Sequence, residues 1–252
     1  MKVIAVANQK GGAGKTSTAS ALWYYLNHNE RTALAVDLDA QCNLSFAANA
    51  KTDGQTALGV LTQEVEAQDA IQHTEQGDII AASVKLNGAD KALEDEIAKE
   101  LRLREALAPL AGRYDFAILD TPPNIGIVTK NALAAADYVV IPAQADAFSV
   151  SGIEQIGKTI AAIRHYYNHG LQVKGILLTR FNPRITVSKI VRERIEGTAS
   201  DLDTKLFSAT IREAAAVKEA QLLHLSIFEH EAKSKVAKDY EAFCKELLGG
   251  IM

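Results

Sequence analysis

The apolar stretch Val3–Ala7 runs almost directly into Lys10-Gly11-Gly12-Ala13-Gly14-Lys15-Thr16-Ser17. A helix-period pattern follows at once, with Ala19, Leu22, Trp23 and Leu26 at i, i+3, i+4 and i+7. A strand that turns through glycines into a helix directs consecutive backbone N–H groups inward, and the helix adds the positive end of its dipole at the same spot. That combination is an anion cradle, and the residues at the helix start suit a polyphosphate. Lys15 can reach the β- and γ-phosphates, and the Thr16 hydroxyl can ligate Mg²⁺. The loop therefore predicts an α/β fold with a polyphosphate and Mg²⁺ at the end of its first strand. The general pattern G-x-x-x-x-G-K-[ST] would open at Gln9, so its first glycine is absent and K-G-G-x-G-K-T stands instead.

The rest of the chain alternates short apolar runs with helical stripes. Val3–Ala7, Ala33–Val36, Asp78–Ala81, Phe116–Leu119, Tyr138–Ile141 and Val173–Leu178 are continuous rather than alternating, as strands buried on both faces are. Helical stripes are Leu93, Ile97 and Leu101; Ile153, Ile156, Ile160 and Ile163; and Val236, Tyr240, Phe243 and Leu247. Strands separated by helices predict a mostly parallel sheet flanked by helices on both faces, joined by right-handed crossovers. No Pro/Gly/Ser-rich linker or internal repeat divides the 252 residues, so a single domain over 1–252 is expected. The stretch Ala47–Gln76 shows no assignable pattern. With 48% apolar residues and 27 basic against 31 acidic side chains, disorder is excluded, and so is a constitutively basic nucleic-acid binder, although a local basic face is not. No apolar run reaches the roughly 20 residues of a membrane span or the roughly 7–15 of a secretory leader. Cys42 and Cys244 form no C-x-x-C pair, which points away from zinc and disulfides and toward a reducing cytoplasm.

Carboxylates stand where such a sheet would put them to use. Val36-Asp37-Leu38-Asp39-Ala40-Gln41 places two carboxylates at i and i+2 beyond the second strand, at the edge where open α/β sheets bind ligands. Phe116-Ala117-Ile118-Leu119-Asp120 is an apolar strand ending in Asp, the geometry that holds Mg²⁺ through water. His165 and His169 lie at i and i+4, but no third ligand is near in sequence, and they read as surface residues. Cys42 reads as a small packing residue.

The leading Lys10 resembles the deviant Walker A signature of the ParA/MinD ATPases, which position plasmids, chromosomes and division machinery. Asp37-Leu38-Asp39-Ala40-Gln41 resembles the family's D-x-D-P-Q and Asp120-Thr121-Pro122-Pro123 its D-T-P-P. Tyr138-Val139-Val140-Ile141-Pro142-Ala143 and Gly175–Asn182 look like the family's later strands. The resemblance implies a P-loop NTPase fold, nucleotide held by Lys10, Gly11, Gly12, Ala13, Gly14, Lys15, Thr16 and Ser17, and Arg180 on the adenine side. It implies that Lys10 reaches the nucleotide of a partner subunit, that Lys15 and Asp39 serve hydrolysis with Asp39 handling the attacking water, and that Thr16, Asp37 and Asp120 serve Mg²⁺. Ala40 departs from the usual Pro, which is expected to loosen the turn and leaves the hydrolysis rate open. Within the same superfamily, Cys42 and Cys244 do not match the ligand pattern of an iron–sulfur carrier, and amidoligases generally lack a Lys10 equivalent.

Short, Soj-like ParA proteins dimerise with ATP, bind DNA without sequence preference and are reset by a ParB-like activator. Arg184 and Arg212 match their DNA-contacting arginines. On the helix pattern after Arg184, Val187, Ile190 and Val191 form an apolar stripe, leaving Lys189, Arg192 and Arg194 for the polar faces, while Glu193, Glu196 and Glu213 dilute the patch. The resemblance thus implies a cytoplasmic, nucleoid-associated homodimer acting on non-specific DNA. With the phosphate loop beginning at residue 10, no N-terminal helix-turn-helix is expected. Two alternatives stay open: a MinD-like membrane-cycling ATPase, supported by the MinD-like Leu178-Thr179-Arg180-Phe181-Asn182-Pro183, and a nucleotide-gated switch with little hydrolysis. A membrane partner is not expected, because Lys233–Leu248 reads as a core helix.

Overall fold

The computed structural model describes residues 1–146 and 148–251. Its strands are β1 (Lys2–Val6), β2 (Ala33–Asp37), β3 (Ile71–Thr74), β4 (Gly77–Ile80), β5 (Phe116–Asp120), β6 (Tyr138–Gln144), β7 (Gln172–Thr179) and β8 (Leu206–Thr210). They form one sheet in the order β3-β4-β2-β5-β1-β6-β7-β8. All neighbours are parallel except β3 and β4, which pair antiparallel. The mostly parallel α/β architecture expected from the sequence is thereby observed.

The longer helices are α1 (Lys15–Asn27), α6 (Ile127–Ala135), α7 (Ser149–Tyr166), α8 (Thr186–Asp201), α9 (Ala215–Leu222) and α11 (Lys235–Gly249). Short ones fill the connections: α2 (Asn43–Ala47), α3 (Ala57–Leu61), α4 (Ala89–Ala92), α5 (Arg102–Leu107) and α10 (Ile227–His230). Alternate residues of each central strand feed two separate cores. Val3, Ala5, Leu34, Val36, Ala117 and Leu119 pack with α6, α7 and α8 on one face. Ile4, Val6, Ala33, Ala35, Phe116 and Ile118 pack with α1 and α11 on the other. This is why those strands read as unbroken apolar runs, with both pleat faces dry. Trp23 and Phe243 are fully buried, each contributing on the order of 1.5–3 kcal/mol of apolar burial.

Three expectations are corrected. Leu93, Ile97 and Leu101 do not share a helix, because α4 ends at Ala92, Ala98 adopts a left-handed φ of 54°, and Ile97 is 87% exposed. On α8 only Val191 of the expected apolar stripe is buried, since Val187 and Ile190 face solvent and Ile195 takes the core position. The unpatterned stretch Ala47–Gln76, which begins at the last residue of α2, contains α3 and the edge strand β3, which the sequence reading missed together with β8.

β1 sits centrally, and the chain crosses it between β5 and β6. That crossing opens a crevice at the carboxyl ends of β1, β2 and β5 on one side and β6 and β7 on the other, the switch point where ligands bind in such sheets.

Candidate functional site

The loop between β1 and α1 fills this crevice. Gly12 and Gly14 have φ of 74° and 88°, a region in which an L side chain is strained. A Cβ on Gly14 would also lie 3.2 Å from Cγ2 of Thr179. Gly14 is the N-cap of α1 and gives no side-chain cap, so the first N–H groups of the helix stay available to an anion. Neighbouring strand ends clamp the loop from outside. Thr179 Oγ1 donates to the Ala13 carbonyl at 2.8 Å, Gln144 Nε2 donates to the Gly12 carbonyl, and Asn8 Oδ1 accepts the Lys10 N–H at 3.1 Å. Sequence reasoning missed these three residues; their one signal was their place at the carboxyl ends of apolar strands.

Lys15 is buried, and its ammonium donates to the Lys10 carbonyl at 3.2 Å. Burial draws its pKa below the ordinary lysine value, opposed by Asp120 and Asp39. The leading Lys10 forms an ion pair with Asp146 of its own chain. Burial raises the Asp146 carboxyl, but hydrogen bonds from Lys10, the Phe148 N–H and Ser149 carry it below its ordinary value.

The carboxylates converge as the sequence led us to expect. Asp37 and Asp120 are register partners on β2 and β5, and both are fully buried. Asp37 accepts the Ser45 N–H at 2.8 Å, the Ser45 hydroxyl at 2.7 Å and the Asp39 N–H at 3.1 Å. Burial nevertheless pushes it up to about 6. Asp120 is different. Neither of its carboxylate oxygens has a hydrogen-bond partner, and burial and then Asp37 raise its pKa well above the usual range, with Thr16 and Lys15 pulling the other way. Asp39 accepts the Gln41 N–H at 3.0 Å, and the Cys42 N–H bonds the Asp39 carbonyl at 2.8 Å. The turn carrying Ala40 is closed by its own hydrogen bonds. Burial pushes the Cys42 thiol up to about 11, in keeping with a packing role.

The donor set fits a magnesium ion. A buried carboxylate without partners is costly and calls for a cation. Among the described residues no cluster of three or more His, Cys, Asp or Glu side chains gathers to hold a metal. A small ion that keeps most of its waters, taking one hydroxyl and the substrate's phosphate oxygens, suits such a site. Thr16 would supply that hydroxyl, with Asp37 and Asp120 ordering the waters. His165 and His169 do not converge: one ring stands edge-on to Tyr166 and the other bonds the Arg164 carbonyl.

Beside Gly14 and Ser17 opens a cavity of about 140 Å³, walled by Thr179, Arg180, Ile211, Arg212, Glu213, Ala214, Val217, Lys218, Gln221 and Tyr240. Arg180, with a left-handed φ of 49°, stands at this cavity. The four basic candidates separate. Arg184 and Lys189 are exposed near the start of α8. Arg192 pairs with Glu196 at 3.0 Å and lies 5.9 Å over the Phe181 ring. Arg212 stands at the cavity wall, with its guanidinium on Asp239.

An AAA-domain family model matches residues 1–173. The chromosome partitioning protein ParA of Myxococcus xanthus is 35% identical over 251 residues, covering 98% of this chain and 88% of that protein. The sporulation initiation inhibitor protein Soj of Bacillus subtilis is 33% identical over 250 residues, covering 98% of each. Among solved structures, cobyrinic acid a,c-diamide synthase of Mycobacterium smegmatis with bound ADP and magnesium superposes with a TM-score of 0.85 at 31% identity, over 98% of this chain and 94% of that one.

Proposed function

The chain belongs to the ParA/Soj family of partition ATPases, and we propose that residues 1–252 act as one ATPase domain that ATP switches into a DNA-binding homodimer. The observation that carries this reading is the convergence of Lys15, Thr16, Asp39 and the unpartnered Asp120 at the end of β1, with Lys10 at the rim. The backbone N–H groups of Gly11–Ser17 and the Lys15 ammonium receive the phosphates, and the base enters the cavity beside Arg180. Magnesium, when bound, supplies charge neutralisation on the phosphate oxygens. Asp39 accepts a hydrogen bond from the attacking water and sets it in line with the γ-phosphate. Water oxygen then bonds to the γ-phosphorus as the bond to the bridging oxygen breaks, leaving ADP. Lys10 leaves Asp146 and engages the nucleotide of the second subunit. Arg184, Lys189 and Arg192 are the candidate phosphate contacts to DNA, doubled by dimerisation. A ParB-like partner stimulates hydrolysis and resets the cycle.

The membrane alternative is less well supported. Among the described residues no helix is long and apolar enough to cross a membrane. The apolar stripe of α11 is consumed by the core, with Val236, Tyr240, Phe243 and Leu247 all buried. It therefore offers no face for an interfacial helix.

The test is equilibrium binding of the Asp39→Ala protein to random-sequence duplex DNA, with ATP and with ADP, across a salt series. Anionic vesicles serve as the parallel surface. ATP-dependent, salt-sensitive DNA binding is expected. Vesicle binding without DNA binding would move the protein to the membrane-cycling class, and an unmodified protein that binds DNA with ATP yet barely turns it over would be a nucleotide-gated switch.

A further inference from the structure

Asp239 lies on α11, outside every motif of the sequence. Its carboxylate nevertheless takes three hydrogen bonds from one residue: the Arg212 N–H at 3.1 Å, Nε at 2.6 Å and Nη2 at 2.8 Å. Asp239 is the more buried partner, its side chain 14% exposed against 47% for Arg212. It stands on a helix anchored by Tyr240 and Phe243, both in the core, so the acceptor is rigid and the arginine is the group being held.

What is held matters more than the pair itself. Arg212 opens the segment Arg212–Ala214 between β8 and α9, just beyond the last β7–β8 register pair, Leu178 and Thr210. Past that point the strand ladder no longer fixes the backbone. Ile211 is the last residue tied back, its N–H bonding the Leu178 carbonyl at 2.8 Å, and the Arg212 N–H turns instead to Asp239. The segment lines the same cavity as Gly14 and Ser17. A bidentate guanidinium–carboxylate fork with an added backbone bond fixes direction as well as distance, which a lysine could not do.

Resting on the reading of this cavity as the base side of the nucleotide site, we propose that Asp239 is a positioning residue for nucleotide binding. It clamps the Arg212–Ala214 segment against the cavity, and Arg212 serves that wall rather than standing free as a cation for DNA phosphate.

The experiment measures affinity of the full chain for a fluorescent ADP with magnesium, which keeps dimerisation out of the readout. Inorganic tripolyphosphate, which can use the phosphate loop but has no base, is the competitor. Asp239→Asn and Arg212→Ala should each weaken ADP about five- to tenfold, and the double variant should lose little more than either alone. Arg212→Lys, which keeps the charge but not the fork, should resemble Arg212→Ala. Tripolyphosphate affinity should stay within about twofold in all of them, as expected for groups that never touch the phosphates. Equal losses for ADP and tripolyphosphate would mean general damage to the fold and overturn the inference. So would unchanged ADP affinity in Arg212→Ala with a DNA salt dependence shallower by about 0.9 per arginine lost, the mark of a phosphate contact. If ADP binds the unmodified protein no better than tripolyphosphate does, the base-side reading itself fails and the inference falls with it.

Discussion

Replacing Asp120 with Asn should make the nucleotide-free protein more stable while removing most of what magnesium and nucleotide add. The side chain is fully buried, neither carboxylate oxygen is hydrogen-bonded, and Asp37 stands directly opposite it in the sheet. Asp120 and Asp39 act on the single Lys15 ammonium, and Asp37 and Asp39 add their repulsion to Asp120. Removing one negative charge therefore relieves repulsion and desolvation, and the interaction forgone is the one with the neighbouring Thr16 hydroxyl. An unpaired buried charge costs more than an unpaired neutral amide, and the difference is worth roughly 1–3 kcal/mol. For a chain of this size that raises Tm by roughly 2–10 °C. The pH dependence has a definite sign. Both Asp37 and Asp120 have folded pKa values raised above their ordinary range, Asp37 to about 6. Each adds stability below the ordinary carboxylate pKa that is lost as pH rises through its folded value. For Asp37 alone, a rise from 3.8 to about 6 corresponds to roughly 3 kcal/mol lost by neutral pH. The free protein should thus melt lower at pH 8 than at pH 5, and Asp120→Asn should flatten that slope. Differential scanning fluorimetry with and without magnesium and a non-hydrolysable ATP analogue reads all of this. At about 100 times Kd the ligand should add about 2.7 kcal/mol to the unmodified protein and distinctly less to the variant. A variant that melts lower without ligand, or gains as much from it, refutes the assignment of Asp120 as a carboxylate held ready for a cation.

Other perturbations reach other parts of the site. Gly14→Ala, with φ at 88° and a Cβ meeting Thr179, should cost roughly 1–2 kcal/mol in urea unfolding and also weaken nucleotide binding. Asp146→Asn frees Lys10 from a half-exposed pair worth about 0.5–1 kcal/mol in each of the two subunits, so the ATP-bound dimer should tighten by roughly five- to thirtyfold in sedimentation experiments. No change there would mean that the ion pair does not restrain the lysine. Asp39→Ala should trap the ATP-bound dimer, and a variant that remains monomeric with ATP in the same experiment would remove Asp39 from the hydrolytic role.

The phosphate loop, the carboxylate-ended strands and the α/β class were legible because they rest on local rules. Glycine sterics, the two-residue period of a strand and the start of a helix are all written within about ten consecutive residues. The two dry faces of β1, β2 and β5 follow from their apolar runs for the same reason. Short edge elements escaped: β3 and β8 have few fully buried positions, so their composition carries no continuous apolar signal. The Leu93, Ile97 and Leu101 repeat misled because one left-handed residue, Ala98, undoes a period that composition alone supports.

What only the tertiary structure decided is pairing. Thr179 reaches Ala13 across 166 residues, Gln144 reaches Gly12 across 132, and Arg212 meets Asp239 across 27. A sequence offers many lysines and carboxylates and does not say which of them meet. The crossing at β1 brings the ends of β2, β5, β6 and β7 to one loop, and only there do Lys10, Asp120 and Arg212 acquire their different surroundings. Lys10 is restrained by Asp146, Asp120 is left without a partner, and Arg212 is drawn to a helix from the end of the chain. Residue type sets what each group is able to do; burial and the charge beside it, both products of the packed sheet, set what it does.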